Sequence, residues 1–287
     1  MKLLLAVDGS DHSYEAVRAI KYLARAEMLT LLHVLDVPKP TYPMMLPEVA
    51  RELYADFEQA KREEGERLLE RMRALLPMDS GPVTKQLVTG SPAEVIVATS
   101  ESVQADLIVM GARGLGPVKE RLFGSVSHRV LTMAPCAKLI VNGPMQSMRR
   151  ILLPLQGQAD GEAVLRFLNF KPFRDPIELV LFTVLPTTTP PWPAGARAAE
   201  SLEQEALQSA QDFVDDIIGR LQALGYEATG TAALGSPAVR ILEQAEKLRP
   251  DAIMMGSRGR SGVMRFVLGS VSHAVLHQSR GPVLVFE

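Results

Sequence analysis

Short, unbroken apolar runs alternate along the chain with longer stretches in which apolar residues return every third or fourth position. Runs such as Leu107-Ile108-Val109-Met110 and Ala252-Ile253-Met254-Met255 lack the apolar/polar alternation of a half-exposed strand. They predict strands buried on both faces. In the first half the pattern predicts strands over 3–7, 29–35, 83–88, 107–110 and 138–141, and helices over about 13–26, 48–76, 92–102 and 125–133. Strand–helix alternation with buried strands predicts an α/β fold: a doubly wound parallel sheet, helices on both sides, right-handed crossovers.

The pattern then repeats. Gly90-Ser91-Pro92-Ala93 returns as Gly235-Ser236-Pro237-Ala238, Met110-Gly111-Ala112-Arg113-Gly114 as Met255-Gly256-Ser257-Arg258-Gly259, and Gly124-Ser125-Val126-Ser127-His128 as Gly269-Ser270-Val271-Ser272-His273, all at an offset of 145 residues. Leu4-Leu5-Ala6-Val7-Asp8-Gly9 aligns with Leu152-Leu153-Pro154-Leu155-Gln156-Gly157 at an offset of 148. A period this long means whole domains rather than a solenoid. The boundary falls near Asn142–Ser147, giving domains 1–145 and 146–287. Pro-rich stretches follow the second strand of each copy, around Pro38–Pro43 and Pro186–Pro193. They read as surface connections, or as flaps over a ligand with Tyr42 or Trp192 as cover.

Length agrees with two domains: 287 residues is about twice a typical ~150-residue domain. Lys and Arg total 31 against 33 Asp and Glu, so no basic face argues for nucleic acid or an anionic membrane as partner. The single Cys136 excludes an internal disulfide framework and suits a reducing compartment. The apolar start of the chain stops at Asp8, short of the ~7–15 residues of a signal-peptide core. No apolar stretch approaches the ~20 residues of a membrane span. These features lead to the expectation of a soluble, cytoplasmic protein.

In a doubly wound sheet, ligands sit beyond the carboxyl ends of the strands, where strand order reverses. The fourth strand of each copy ends in Gly-x-x-Gly, then nine residues, then Gly-Ser opening a helix: Gly111, Gly114, Gly124 and Ser125, then Gly256, Gly259, Gly269 and Ser270. Glycine admits close backbone approach, and the first-turn N–H groups are unpaired donors at a positive dipole end. Such a loop is built to cradle phosphate, with Ser125 expected as N-cap. The alternative is that Gly124 and Gly269 only permit a tight turn. Asp8, at the end of the first strand, is either a ligand for an amine or ribose hydroxyl or a turn residue before the next helix. No Gly-Lys-Ser/Thr follows the loop, so it is not a P-loop, and the dinucleotide fingerprint belongs after the first strand.

These glycines, with Asp8 in Ala6-Val7-Asp8-Gly9-Ser10, resemble the ATP-binding branch of the universal stress protein family, and the duplication resembles its two-domain members. The resemblance covers nearly the whole chain. It implies five-stranded sheets in order 3-2-1-4-5 and an ATP-like nucleotide, with or without Mg²⁺, at the carboxyl edge. It places Asp8, with Ala6, Val7 and Ser10 around it, and Val34 at the adenine. It places Met110, Gly111, Arg113 and Gly114 along ribose and phosphates, and Gly124, Ser125, Val126 and Ser127 under the phosphates. In the second copy Gly256, Arg258, Gly259, Gly269, Ser270, Val271 and Ser272 correspond, as a weaker site. There Gln156 replaces Asp8, Gln158 replaces Ser10, and Met264 and Phe266 replace Lys119 and Arg121. The family also implies dimerisation through the last strand, here expected as antiparallel pairing of the two copies within one chain, with a further homodimer left open.

His128 and His273 share a repeat position and are expected on a helix surface or in packing, one per site. Cys136 is expected to pack near the last strand. No nucleophile–base pair, metal cluster or catalytic carboxylate pair is evident. The reading is therefore a nucleotide-binding stress or signalling module with at most slow hydrolysis. Its alternatives are a ligase or nucleotidyl transferase, whose SGGxDS-like or HxGH-like signatures are absent, and a scaffold whose glycines are relics.

Overall fold

Apolar segments too short to bury themselves alone line up in one ten-stranded sheet. The computed structural model describes residues 1–37, 47–114, 124–187, 196–257 and 268–286, with 47–55 and 196–200 described by backbone only. The first copy contributes β1 (Lys2–Val7), α1 (Asp11–Ala19), β2 (Met28–Leu35), α2 (Pro47–Leu75), β3 (Val83–Thr89), α3 (Pro92–Ser102), β4 (Leu107–Gly111), α4 (Ser125–Met133) and β5 (Ala137–Val141). The second contributes β6 (Arg150–Pro154), α5 (Gln158–Asn169), β7 (Glu178–Leu185), α6 (Ala196–Ala223), β8 (Glu227–Leu234), α7 (Pro237–Leu248), β9 (Ala252–Gly256), α8 (Ser270–Gln278) and β10 (Val283–Phe286). The strand order is β3-β2-β1-β4-β5-β10-β9-β6-β7-β8, the order 3-2-1-4-5 meeting its own mirror. Pairings within each copy are parallel.

Successive strand residues point to opposite faces, and both faces are covered. Leu3, Leu5, Val7, Leu29, Leu31, Leu107 and Val109 pack with residues of α1 and α2. Leu4, Ala6, Leu32, Ile108, Met110 and Ile140 pack with residues of α3 and α4. Each of these cores continues into the second copy, through Leu153 and Leu181 on one face and Leu152 and Phe182 on the other. Among the described residues, no helix is long and apolar enough to cross a membrane.

The copies join where equivalent residues meet. β5 and β10 run antiparallel, with Leu139 opposite Leu284. A second seam, an antiparallel bridge, pairs Leu23 with Phe173, each lying five residues before the second strand of its copy. It is held by Ala24 N–H to Pro172 O at 2.9 Å and Arg174 N–H to Tyr22 O at 3.0 Å. Contacts between equivalent positions place both seams on one pseudo-twofold axis. The second seam corrects the helix expected over 13–26: α1 stops at Ala19, and a short 3-10 turn, Ile20–Tyr22, leads into extended backbone at Leu23. Pairing with the other copy overrides the local helical pattern.

Candidate functional site

Strand order reverses between β1 and β4, and the residues following these two strands meet there. Beyond β1 the chain must turn into α1. Ser10 caps α1, its Oγ accepting from Ser13 N–H at 3.3 Å, while Asp8 N–H donates to Ser13 Oγ at 3.1 Å. Asp8 Oδ1 accepts from Ser10 N–H at 3.0 Å and lies 2.6 Å from Ser10 Oγ. Asp8 is thus a turn residue through one oxygen. The other faces Gly114, where a Cβ would lie 2.4 Å from Oδ2. Ser10 Oγ also lies 3.1 Å from the Arg113 carbonyl, so this buried hydroxyl fastens the start of α1 to the glycine loop.

The glycines divide into two kinds. A Cβ at Gly111 would meet the His12 backbone carbon and Cβ at 2.8 Å, so Gly111 lets α1 begin against β4. At Gly114 a Cβ would displace the Asp8 carboxylate from its present place. Gly124 has φ −78° and ψ 157°, extended backbone open to any residue, and a Cβ there would have its nearest described neighbours at 3.4 Å. The tight-turn reading therefore does not account for it. Gly124 N–H donates to Ala112 O at 2.8 Å, and Gly269 N–H to Ser257 O at 3.1 Å, so both loops are pinned at their stems.

The expected cap is corrected: Gly124, not Ser125, is the N-cap of α4, and a glycine has no side chain with which to bond the first-turn N–H groups. Ser125 is exposed as the first helical residue, beside the half-buried Val126. Ser127 is buried, its hydroxyl donating to Ala112 O at 2.7 Å, so it braces the loop stem. The second copy is similar: Gly269 is the N-cap of α8, Ser270 is exposed, and Ser272 Oγ donates to Gly256 O at 2.9 Å, one residue before the counterpart of Ala112.

Under this edge Ala6 and Met110, opposite each other on β1 and β4, share one apolar cluster with Val34 and Val126. Val7, on the other face of β1, accepts on its carbonyl from the His33 ring at 2.8 Å. The same place in the second copy is a narrow cleft of about 20 Å³ lined by Pro154, Gln156, Asp160, Phe182, Val184, Met255, Gly256, Val271 and Ser272. That volume admits roughly one water. Pro154 beside Phe182 stands where the first copy has Ala6 beside Leu32. Tyr42, Trp192, Lys119, Arg121, Arg258, Gly259, Met264 and Phe266 lie outside the described residues.

Sequence reasoning missed His12 and Asp160. His12 Nε2 lies 3.2 Å from an Arg113 guanidinium nitrogen. Burial, then the Arg113 charge, hold its pKa below the ordinary histidine value. Asp160 packs on Gly256 as His12 packs on Gly111, and its Oδ2 accepts from Gln156 N–H at 2.9 Å. Burial pushes its carboxyl pKa up. Their shared place in the repeat was the available signal. The repeat histidines do not stay one per site: His128 and His273 meet edge to face at 6.0 Å, and His277 lies 4.3 Å from His273. The pseudo-twofold that pairs β5 with β10 brings these rings together. Burial raises the Cys136 thiol pKa to about 11, leaving it a packing group. Among the described residues, no group of three or more His, Cys, Asp or Glu side chains is arranged to hold a metal ion.

Comparison with known proteins gives a consistent answer. Residues 1–142 and 148–287 each match the model of the universal stress protein family. A universal stress protein of Thermus aquaticus is 38% identical over 141 residues, 48% of this chain and 96% of its own length. One from Mycolicibacterium smegmatis is 25% identical over 297 residues, 96% of this chain and 95% of its own. The crystal structure of a universal stress protein from Archaeoglobus fulgidus shares the fold, with TM-score 0.65 and 24% identity over 99% of this chain and 95% of its own.

Proposed function

The chain belongs to the universal stress protein family, and from that premise we propose that its first copy binds an ATP-like nucleotide at the carboxyl edge of the sheet, between β1 and β4. The observation that carries this reading is the uncapped start of α4, whose glycine N-cap answers to no backbone strain and no crowding by described neighbours. First-turn N–H groups that the N-cap glycine leaves without a side-chain acceptor, at a positive dipole end, are complementary to phosphate. Arg113, which carries the guanidinium of the adjoining loop, supplies a bidentate phosphate donor. The apolar floor of Ala6, Val34 and Met110 suits a purine face, and Asp8 is held at its rim to accept from an amine or hydroxyl. A Mg²⁺ ion accompanying the nucleotide would be held mainly by the phosphates.

The protein then acts as a nucleotide-dependent stress or signalling module in the cytoplasm rather than as an efficient enzyme. The ionisable side chains here have other engagements: Asp8 with Ser10, and His12 with Arg113. The cleft of the second copy, narrowed by Phe182 and Pro154, favours one nucleotide per chain.

Gly124→Val tests the assignment. With ordinary room for a Cβ in the ligand-free fold, the variant should melt within a few degrees of the parent. A side chain between phosphate and the α4 amides should lower ATP affinity at least ~10-fold, about 1.4 kcal/mol. Parental affinity in a folded Gly124→Val protein would remove the cradle from this place.

A further inference from the structure

Arg113 sits in the glycine loop, and one group that engages its guanidinium, His12, comes from another element. An arginine side chain only donates hydrogen bonds. At 3.2 Å from the guanidinium, His12 Nε2 must therefore be the unprotonated, accepting nitrogen. The backbone carbonyl of Asn142, just past the end of β5, pulls the ring pKa up as an acceptor does, which favours that tautomer. Burial, then the Arg113 charge, lower the ring pKa, outweighing the opposite pull of the Asn142 carbonyl, Asp11 and Asp8. Asn142 in turn donates from its side chain to the Ser279 carbonyl, at the end of α8, at 2.9 Å. His12 thus lies between the guanidinium at the site and Asn142, whose side chain reaches the second copy. Gly111 exists to let it stand there, since any Cβ would collide with His12.

We propose that His12 is a positioning residue that holds the Arg113 guanidinium for the nucleotide phosphates and ties that grip to the joint between the copies. The proposal rests on the nucleotide reading given above. In the second copy Asp160 occupies the equivalent place, with its Oδ2 turned to Gln156 N–H.

The test is a double-mutant cycle on the full chain, reading ATP and adenosine affinity by calorimetry. His12→Ala and Arg113→Ala should each weaken ATP about five-fold or more, and the double variant should be no weaker than the worse single one. His12→Gln, whose Oε1 reaches as far as Nε2, should recover most of the loss. Adenosine, which has no phosphate, should bind all four variants within about two-fold of the parent. Losses that multiply in the double variant, or a His12→Gln protein as weak as His12→Ala, would overturn the role of His12. Adenosine affinity falling as far as ATP affinity would make the effect structural and overturn it as well. No ATP binding by the parent chain would instead overturn the nucleotide reading itself.

Discussion

Asp160 shows what one residue does to a duplicated site. It replaces a neutral ring with a carboxyl group at the floor of a cleft lined by Phe182, Val184 and Met255. Burial outweighs the Gln156 N–H bond and raises its pKa in the folded state. As pH rises, the unfolded chain releases this proton first. Native stability is therefore fully present below the ordinary carboxyl value and declines as pH rises through the raised one. Asp160→Asn keeps an acceptor for Gln156 without the charge. The variant should melt higher than the parent at pH 7.5, with the difference closing as pH falls toward 4. An equal or lower melting temperature at pH 7.5 would show that the carboxylate is well accommodated. The glycines teach the same lesson. Gly111, Gly114 and Gly124 look alike in the sequence, but a Cβ would meet the His12 backbone at the first and the Asp8 carboxylate at the second, and only ordinary contacts with described neighbours at the third.

Among the elements, β5 carries the joint. Its ladder with β10 centres on Leu139 opposite Leu284, equivalent residues of the two copies. A strand that pairs antiparallel with its own repeat is complementary to a second copy of itself. Residues 1–145 alone expose this edge and should form a dimer through β5, measured by sedimentation; a monomer at micromolar concentration would show that the seam depends on features particular to β10. The strands were legible in sequence to within about a residue at each end, because continuous apolar runs leave few alternatives. The end of α1 was not, since the 3-10 turn and the bridge at Leu23 answer to Phe173 in the other copy. The cap of α4 was misplaced by one residue because Gly-Ser offers two capping residues in a row. His12 was marked only by its place in the repeat, for a related reason: its partner Arg113 is distant in the chain, and only the fold brings them together.

At the scale of the whole molecule, the two joined sheets keep two free edges, β3 and β8. Lys85 on β3 is ion-paired with Glu70 of α2, a charge that discourages edge-to-edge association. The pseudo-twofold makes the halves alike in fold while their sites diverge. One has Asp8, His12 and Arg113 around an apolar floor; the other has Gln156, Asp160 and a cleft with room for roughly one water. The stoichiometry of ATP binding to the intact chain reads this divergence most directly. Titration calorimetry should give one ATP per chain, with Gly124→Val weakening that event at least ~10-fold and Gly269→Val leaving it unchanged. Two equivalent sites per chain, or a single site weakened by Gly269→Val and untouched by Gly124→Val, would contradict the account.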